Sequence, residues 1–178
     1  MRRILIGVFA FAVIVVGLGF LLPDRVHVER SVMINAPREE VFARVADFRR
    51  WNEWSPWADL DPKTAYEISG SGLGSRMVWS STNPKVGSGS QEIVGYEPPS
   101  VLKTKLDFGG NGGGEATMTL IDEHGATKVV WTLDTRMRAG VPVYMQPVGT
   151  YMGFFMDGMI GKDYEKGLAK LKAAAESR

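Results

Sequence analysis

The sequence predicts an α+β fold: one antiparallel sheet of about seven strands, covered by a long carboxy-terminal helix and preceded by an amino-terminal transmembrane helix. Three observations predict it. Residues 4–22 form an uninterrupted apolar run, residues 63–135 break into short alternating segments, and residues 151–175 repeat apolar side chains at helical spacing.

Composition narrows the function classes. The 178 residues suffice for one domain of about 150 residues with an appendage, not for two full domains. Lys and Arg number 21 against 20 Asp and Glu, and setting aside residues 1–22, whose only charges are Arg2 and Arg3, leaves 19 against 20. There is no basic field for nucleic acid. The chain has no cysteine, which removes disulfides, thiolate metal sites and thiol nucleophiles together.

The apolar run holds 19 residues without a charge, amide or proline, between Arg2-Arg3 and Pro23-Asp24. About 20 apolar residues span the hydrocarbon core of a bilayer. A positive pair ahead of the span stays cytoplasmic and sends the rest of the chain outward. In a bacterium the expected location is the inner membrane, single-pass, with the domain on the periplasmic or extracellular side. A cleaved signal peptide competes, but its apolar region is typically about 7–15 residues, and the candidate cleavage site here is the weak Gly17-Leu18-Gly19. Residues 1–23 are therefore read as an anchor and 24–178 as the soluble domain. A buried core helix is a third reading, disfavoured by the lack of any polar face.

Past the anchor, Val26, Val28, Val32 and Ile34 alternate with His27, Glu29, Ser31 and Met33, the period of a strand with one buried face. Arg30 falls on the buried side and is expected to reach its edge. Asn35 is placed to cap a helix with Pro37 in its first turn and Val41, Phe42 and Val45 as its apolar stripe. Trp51, Trp54 and Trp57 follow, with Pro56 as a breaker. They read as a hydrophobic plug at one end of the domain, with ligand contact as the alternative.

Further strands are expected at 64–69, 75–81, 89–96, 101–108, 114–121 and 127–135. The turns are Asn83-Pro84-Lys85, Glu97-Pro98-Pro99, Asn111-Gly112-Gly113-Gly114 and Glu123-His124-Gly125. Parity puts Met77 with Trp79, Leu102 with Leu106 and Phe108, Ala116 with Met118 and Leu120, and Val129 with Trp131 and Leu133 on one face. Lys103, Lys105, Asp107, Glu115, Lys128 and Asp134 fall on the other, so one face is wet and the other needs a cover.

Phe155, Met156, Met159, Ile160, Tyr164, Leu168 and Leu171 supply that cover along a helix of about 37 Å at 1.5 Å per residue. Gly153, Gly158 and Gly161 lower its propensity in the first half. Five of the nine methionines lie between Met137 and Met159, and flexible methionine suits a surface that accepts several shapes as well as ordinary core. Residues 139–156 carry no charge, while Pro142 and Pro147 argue against a second spanning helix. That segment suits contact with a bilayer or lipid at a cavity mouth, or a buried connection.

The order of elements resembles the helix-grip arrangement of the START-like (SRPBCC) superfamily, in its polyketide-cyclase-type branch. Val28-Glu29-Arg30-Ser31-Val32-Met33-Ile34-Asn35-Ala36-Pro37 with Val41-Phe42 is similar to the family's opening strand and helix. Asn52-Glu53-Trp54-Ser55-Pro56-Trp57 is similar to its Trp-Ser-Pro-Trp segment. Gly87-Ser88-Gly89-Ser90 and Asp163-Tyr164-Glu165-Lys166-Gly167-Leu168 resemble its glycine-rich hairpin and terminal helix. The resemblance covers residues 26–175. It implies a curved sheet wrapped around the terminal helix and a cavity for an apolar ligand, in a family that runs from lipid and polyketide binders to a few cyclases and hydrolases.

The inventory for chemistry is thin. His27 and His124 read as solvated, no metal-ligand spacing occurs, Asp59 with Asp61 and Asp122 with Glu123 read as loop carboxylates, and the glycine runs near Gly72 and Gly110–Gly114 lack the context of phosphate loops. No cofactor, metal or catalytic residue is assigned. The leading expectation is a membrane-anchored binding or carrier module for a hydrophobic small molecule or lipid, with Trp54, Met77, Trp79, Phe108, Met118, Trp131, Phe155, Met156 and Met159 lining the cavity. A cyclase- or hydrolase-type enzyme would need groups such as Arg76, Tyr66, Gln91 or Asp157 to converge inside. A non-binding interaction domain would have its interior filled by Trp79, Trp131 and Phe155.

Overall fold

A computed structural model describes residues 1–109 and 112–177; the Gly110-Asn111 part of the expected glycine-rich turn lies outside them. The chain opens with helix α1 (Arg2–Leu21), then strand β1 (Arg25–Ile34) and helix α2 (Arg38–Val45). A 3₁₀ turn at Phe48–Arg50 leads into the single turn α3 (Trp51–Trp54). Strands β2 (Ala65–Ser69), β3 (Arg76–Ser80), β4 (Ser88–Glu97), β5 (Val101–Asp107), β6 (Gly113–Glu123) and β7 (Ala126–Arg136) follow, and helix α4 (Gln146–Glu176) ends the fold.

The strands form one seven-stranded antiparallel sheet in the order β1-β7-β6-β5-β4-β3-β2. Every pair from β2 to β7 is a sequential hairpin, and β1 returns to lie beside β7 with Arg25 opposite Arg136 and Ile34 opposite Thr127. Strand direction therefore gathers the start of β1, the end of β7 and the β3–β4 and β5–β6 turns at one end of the sheet, where α1 is attached. The sheet's inner face is the expected parity set: Met77, Leu102, Met118, Leu120, Val129 and Trp131 are all at most 4% exposed. Against it α4 buries Tyr164, Leu168 and Leu171, each side chain of this size contributing about 1.5–3 kcal/mol.

Two helix boundaries differ from expectation. Asn35 does not cap α2, which starts after Pro37 without a side-chain cap. The Asn35 backbone N–H instead donates to Glu176 Oε1 at 2.7 Å, and Lys172 Nζ donates to the Met33 carbonyl at 2.8 Å, so the strand end is tied to the tail of α4. Helix α4 begins at Gln146 rather than near Tyr151, because Pro147 occupies its first turn, where the missing N–H has no intrahelical partner to lose.

Of the α4 glycines expected to soften the helix, Gly153 and Gly161 permit close approach, whereas Gly158 faces open space. Arg30 crosses α4 over Gly161, donating through Nε to Glu165 Oε1 at 2.7 Å and through Nη1 to Asp157 Oδ1 at 2.9 Å. A Cβ at Gly161 would collide with that guanidinium. Its hydrogen bonds to Asp157, foremost, and to Glu165 hold the Arg30 guanidinium above its usual range.

Among the described residues α1 is the one helix long and apolar enough to cross a membrane. Its side chains are exposed except near its end, where buried Gly19 packs on α4. A Cβ at Gly19 would lie 2.6 Å from Pro147 Cβ. The Tyr151 hydroxyl donates to the Val15 carbonyl at 2.6 Å, and the Arg138 guanidinium donates to the Leu22 carbonyl.

Candidate functional site

Between the sheet's inner face, the tryptophan segment and α4 lies a cavity of about 370 Å³, near the lower end of the range for small-molecule sites. Its floor is aromatic. Tyr164 of α4 stacks on Trp131 of β7 at 3.6 Å between ring centroids, and Trp54 and Trp57 meet Trp131 edge-on at 5.5 and 6.2 Å. Trp51 completes the group, 4.7 Å from Trp54 and stacked at 6.1 Å on Trp57. The tryptophans expected as a plug at one end of the domain also form one wall of the cavity.

Local structure holds this floor in place. The Ser55 hydroxyl accepts from the Trp57 backbone N–H at 3.2 Å, turning the chain at Pro56. Lys170 Nζ donates to the Ser55 carbonyl at 3.0 Å and to Asp59 at 2.9 Å, with Lys166 3.3 Å from Asp59. Gly167 lets α4 approach, since a Cβ there would sit 3.0 Å from both Pro56 and Trp131. The lysines hold the Asp59 carboxyl below its usual range. Toward the other end the cavity is bounded by Trp79 and Phe108, edge-on at 6.0 Å, and by Lys85, Val86, Met159 and Ile160. Phe108 and Met159 are 40% and 58% exposed, which marks this end as the mouth.

Of the nine expected lining residues, Trp54, Met77, Trp79, Phe108, Met118, Trp131 and Met159 border the cavity. Phe155 and Met156 do not: they lie on the stretch of α4 that packs beside the start of β1, where Gly153 meets Val26 and Asp157 meets Arg30, and Phe155 is 65% exposed. Phe155 thus cannot fill the interior, and Trp79 and Trp131 form walls around open space rather than a packed centre.

A few polar groups interrupt the apolar wall. Gln91 is 3% exposed, and among the described residues its Nε2 has no hydrogen-bond partner, nor has the Nε1 of buried Trp54. Thr104 is also buried in the lining, and Tyr66 borders it with its hydroxyl pushed up chiefly by burial. Tyr164 is raised further, again by burial. Of the four groups a catalytic reading would need, Tyr66 and Gln91 face the cavity. Arg76 is exposed and donates to Ser90 on the outer face, and Asp157 is paired with Arg30. Thr104 was not singled out from sequence; its signal was a polar residue at an inward position between Leu102 and Leu106. His27, by contrast, has an orienting partner across the strands: its Nδ1 lies 2.8 Å from Asp134 Oδ1 on the wet face. Among the described residues no three His, Asp or Glu side chains group as a metal site.

A long helix gripped by an antiparallel sheet around an apolar cavity defines a helix-grip protein of the SRPBCC superfamily. Within it, the chain belongs to the polyketide cyclase/dehydrase and lipid transport family, which matches residues 25–176. Solved structures share the fold. The Zhui aromatase/cyclase of a Streptomyces species is 18% identical with a TM-score of 0.60, covering 85% of this chain and 94% of that one. A protein from Mycobacterium smegmatis is 13% identical at 0.59, covering 86% and 92%, and one from Chromobacterium violaceum is 17% identical at 0.55, covering 88% and 100%. No curated protein matches the chain.

Proposed function

We propose that this protein is a membrane-anchored binding or carrier module for a hydrophobic small molecule or lipid that bears at least one hydrogen-bond acceptor. The observation that carries the reading is the apolar cavity with the Gln91 amide buried in its wall and its Nε2 unpartnered. A buried N–H left without a partner costs about 1–3 kcal/mol, and a ligand oxygen would recover it. Residues 4–22 would span the inner membrane behind Arg2 and Arg3, holding the domain on the outer side.

The test is uptake of fluorescent probes by the detergent-solubilised full chain. A fatty-acid probe, which carries acceptor oxygens, is expected to bind, and Gln91→Leu is expected to weaken it by about fivefold or more while leaving a pure hydrocarbon probe unaffected. Equal loss of both probes would assign Gln91 to the fold instead, and a wild-type protein that takes up neither would reject the binding reading.

A further inference from the structure

The packing of α1 on α4 sets a depth, given the reading of α1 as a membrane span on which this inference rests. Gly19 meets Pro147 and Tyr151, and the Tyr151 hydroxyl reaches the Val15 carbonyl. At about 1.5 Å per residue, Gly19 lies about 4.5 Å along α1 from Leu22, and Pro147 sits against it. Wherever α1 leaves the hydrocarbon, the start of α4 is carried to or just below that level, and the Tyr151 hydroxyl reaches deeper, to Val15.

The exposed side chains of that part of α4 and the turn before it suit such a position. Val143, Tyr144, Val148, Met152, Phe154 and Phe155 are all exposed large hydrophobics, with Tyr144 at 80%, and residues 139–156 carry no charge. An apolar surface of this extent is unusual on a water-facing domain, and this one is continuous with the exposed apolar surface of α1. Arg25 and Arg136 face each other in register beside it, and Arg138 donates to Leu22 at the end of α1, so three arginines, with Asp24 between Leu22 and Arg25, stand near the end of the span, where lipid phosphates lie. Tyrosines at such a boundary are the side chains that membrane interfaces enrich.

We infer that the first three turns of α4, up to Met156, with the turn at Val143–Met145, lie at the outer leaflet as a second membrane element beside α1, buried about 5–10 Å as interfacial helices are. Strand pairing puts the β3–β4 and β5–β6 turns at the same end of the sheet, and the cavity mouth is bounded there by Lys85, Val86, Phe108 and Met159. The mouth therefore opens at the leaflet surface, and a membrane-dissolved ligand enters the cavity without crossing bulk water.

Because the chain has no cysteine, single labels are clean. The full-length variants Val148→Cys, Phe155→Cys, Val13→Cys and Glu123→Cys would each carry an environment-sensitive fluorophore. They would be reconstituted into phosphatidylcholine/phosphatidylglycerol vesicles, with and without nitroxide-labelled lipid. Positions 148 and 155 are expected to be blue-shifted and quenched together with position 13, while position 123, in the turn at the far end of the sheet, stays unquenched. Quenching at 13 with 148 and 155 behaving like 123 overturns this inference and leaves the span standing. Lack of quenching at 13 overturns the span and the depth derived from it.

Discussion

The phenol ring of Tyr164 lies flat on the indole of Trp131, 3.6 Å away with 8° between the planes. Helix and sheet thus meet face to face at the cavity floor. Tyr164→Ala is expected to destabilise the domain by about 3–5 kcal/mol, as removal of a large buried ring does, whereas Tyr164→Phe, which keeps the ring, costs less than about 1.5 kcal/mol. Chemical denaturation followed by tryptophan fluorescence measures both.

Arg30 and Gly161 form one unit, the guanidinium occupying the space a Cβ would take. Gly161→Ala should destabilise by about 1–3 kcal/mol through overpacking, and Arg30→Ala in the same chain should recover part of that loss. A double-mutant cycle reads the coupling; strictly additive effects would show that the two positions act independently.

His27 is held above its usual value, first by its hydrogen bond to Asp134 and then by the charges of Asp134 and Glu29. The folded-state pKa exceeds the unfolded value of about 6.5. The contribution to stability is therefore fully present below about pH 6.5 and is lost as pH rises through the folded value. An NMR titration of His27 should give a midpoint above 6.5, and Asp134→Asn should lower it.

Met118 sits in the middle of the cavity wall at 4% exposure. Met118→Trp should abolish or sharply reduce uptake of a fluorescent fatty-acid or sterol probe with little loss of thermal stability, because the added ring projects into open space. If the variant instead loses about 1–3 kcal/mol without a change in uptake, the site is packed core.

The anchor reading predicts that a reporter at the carboxyl terminus behaves as exported and that the mature protein retains residues 1–22. A mature amino terminus near Phe20 would show cleavage, and cytoplasmic reporter activity would reverse the orientation.

The sheet was legible because period-two alternation has one solution at each strand: Met77, Met118 and Trp131 could only share a face. The cavity followed to the extent that it is made of that face. Phe155 and Met156 were misplaced because an apolar stripe does not say what it faces. The stripe continues from Leu171 back past Met159, but there α4 turns its small residues toward β1, Gly153 against Val26, and leaves Phe155 exposed. Asn35 was a good cap by residue type, yet Pro37 set the helix start and left Asn35 to Glu176, a partner 141 residues away that local reading cannot find. Gln91 was named only as one of four polar groups that a catalytic interior would need, and its burial in the cavity wall required coordinates.

The pairing of β1 with β7 has a consequence for how the chain assembles. Strands β2 to β7 can zip as local hairpins, but the partner of Val28 is Leu133, so the first strand has no neighbour in the sheet until every other strand has been synthesised. Contacts of such sequence separation form slowly because the intervening chain must close first. Through that interval β1 is an unpaired edge joined directly to an apolar helix, the kind of surface that aggregates when left open. The assembly step most in need of protection is thus the docking of the first strand onto the last.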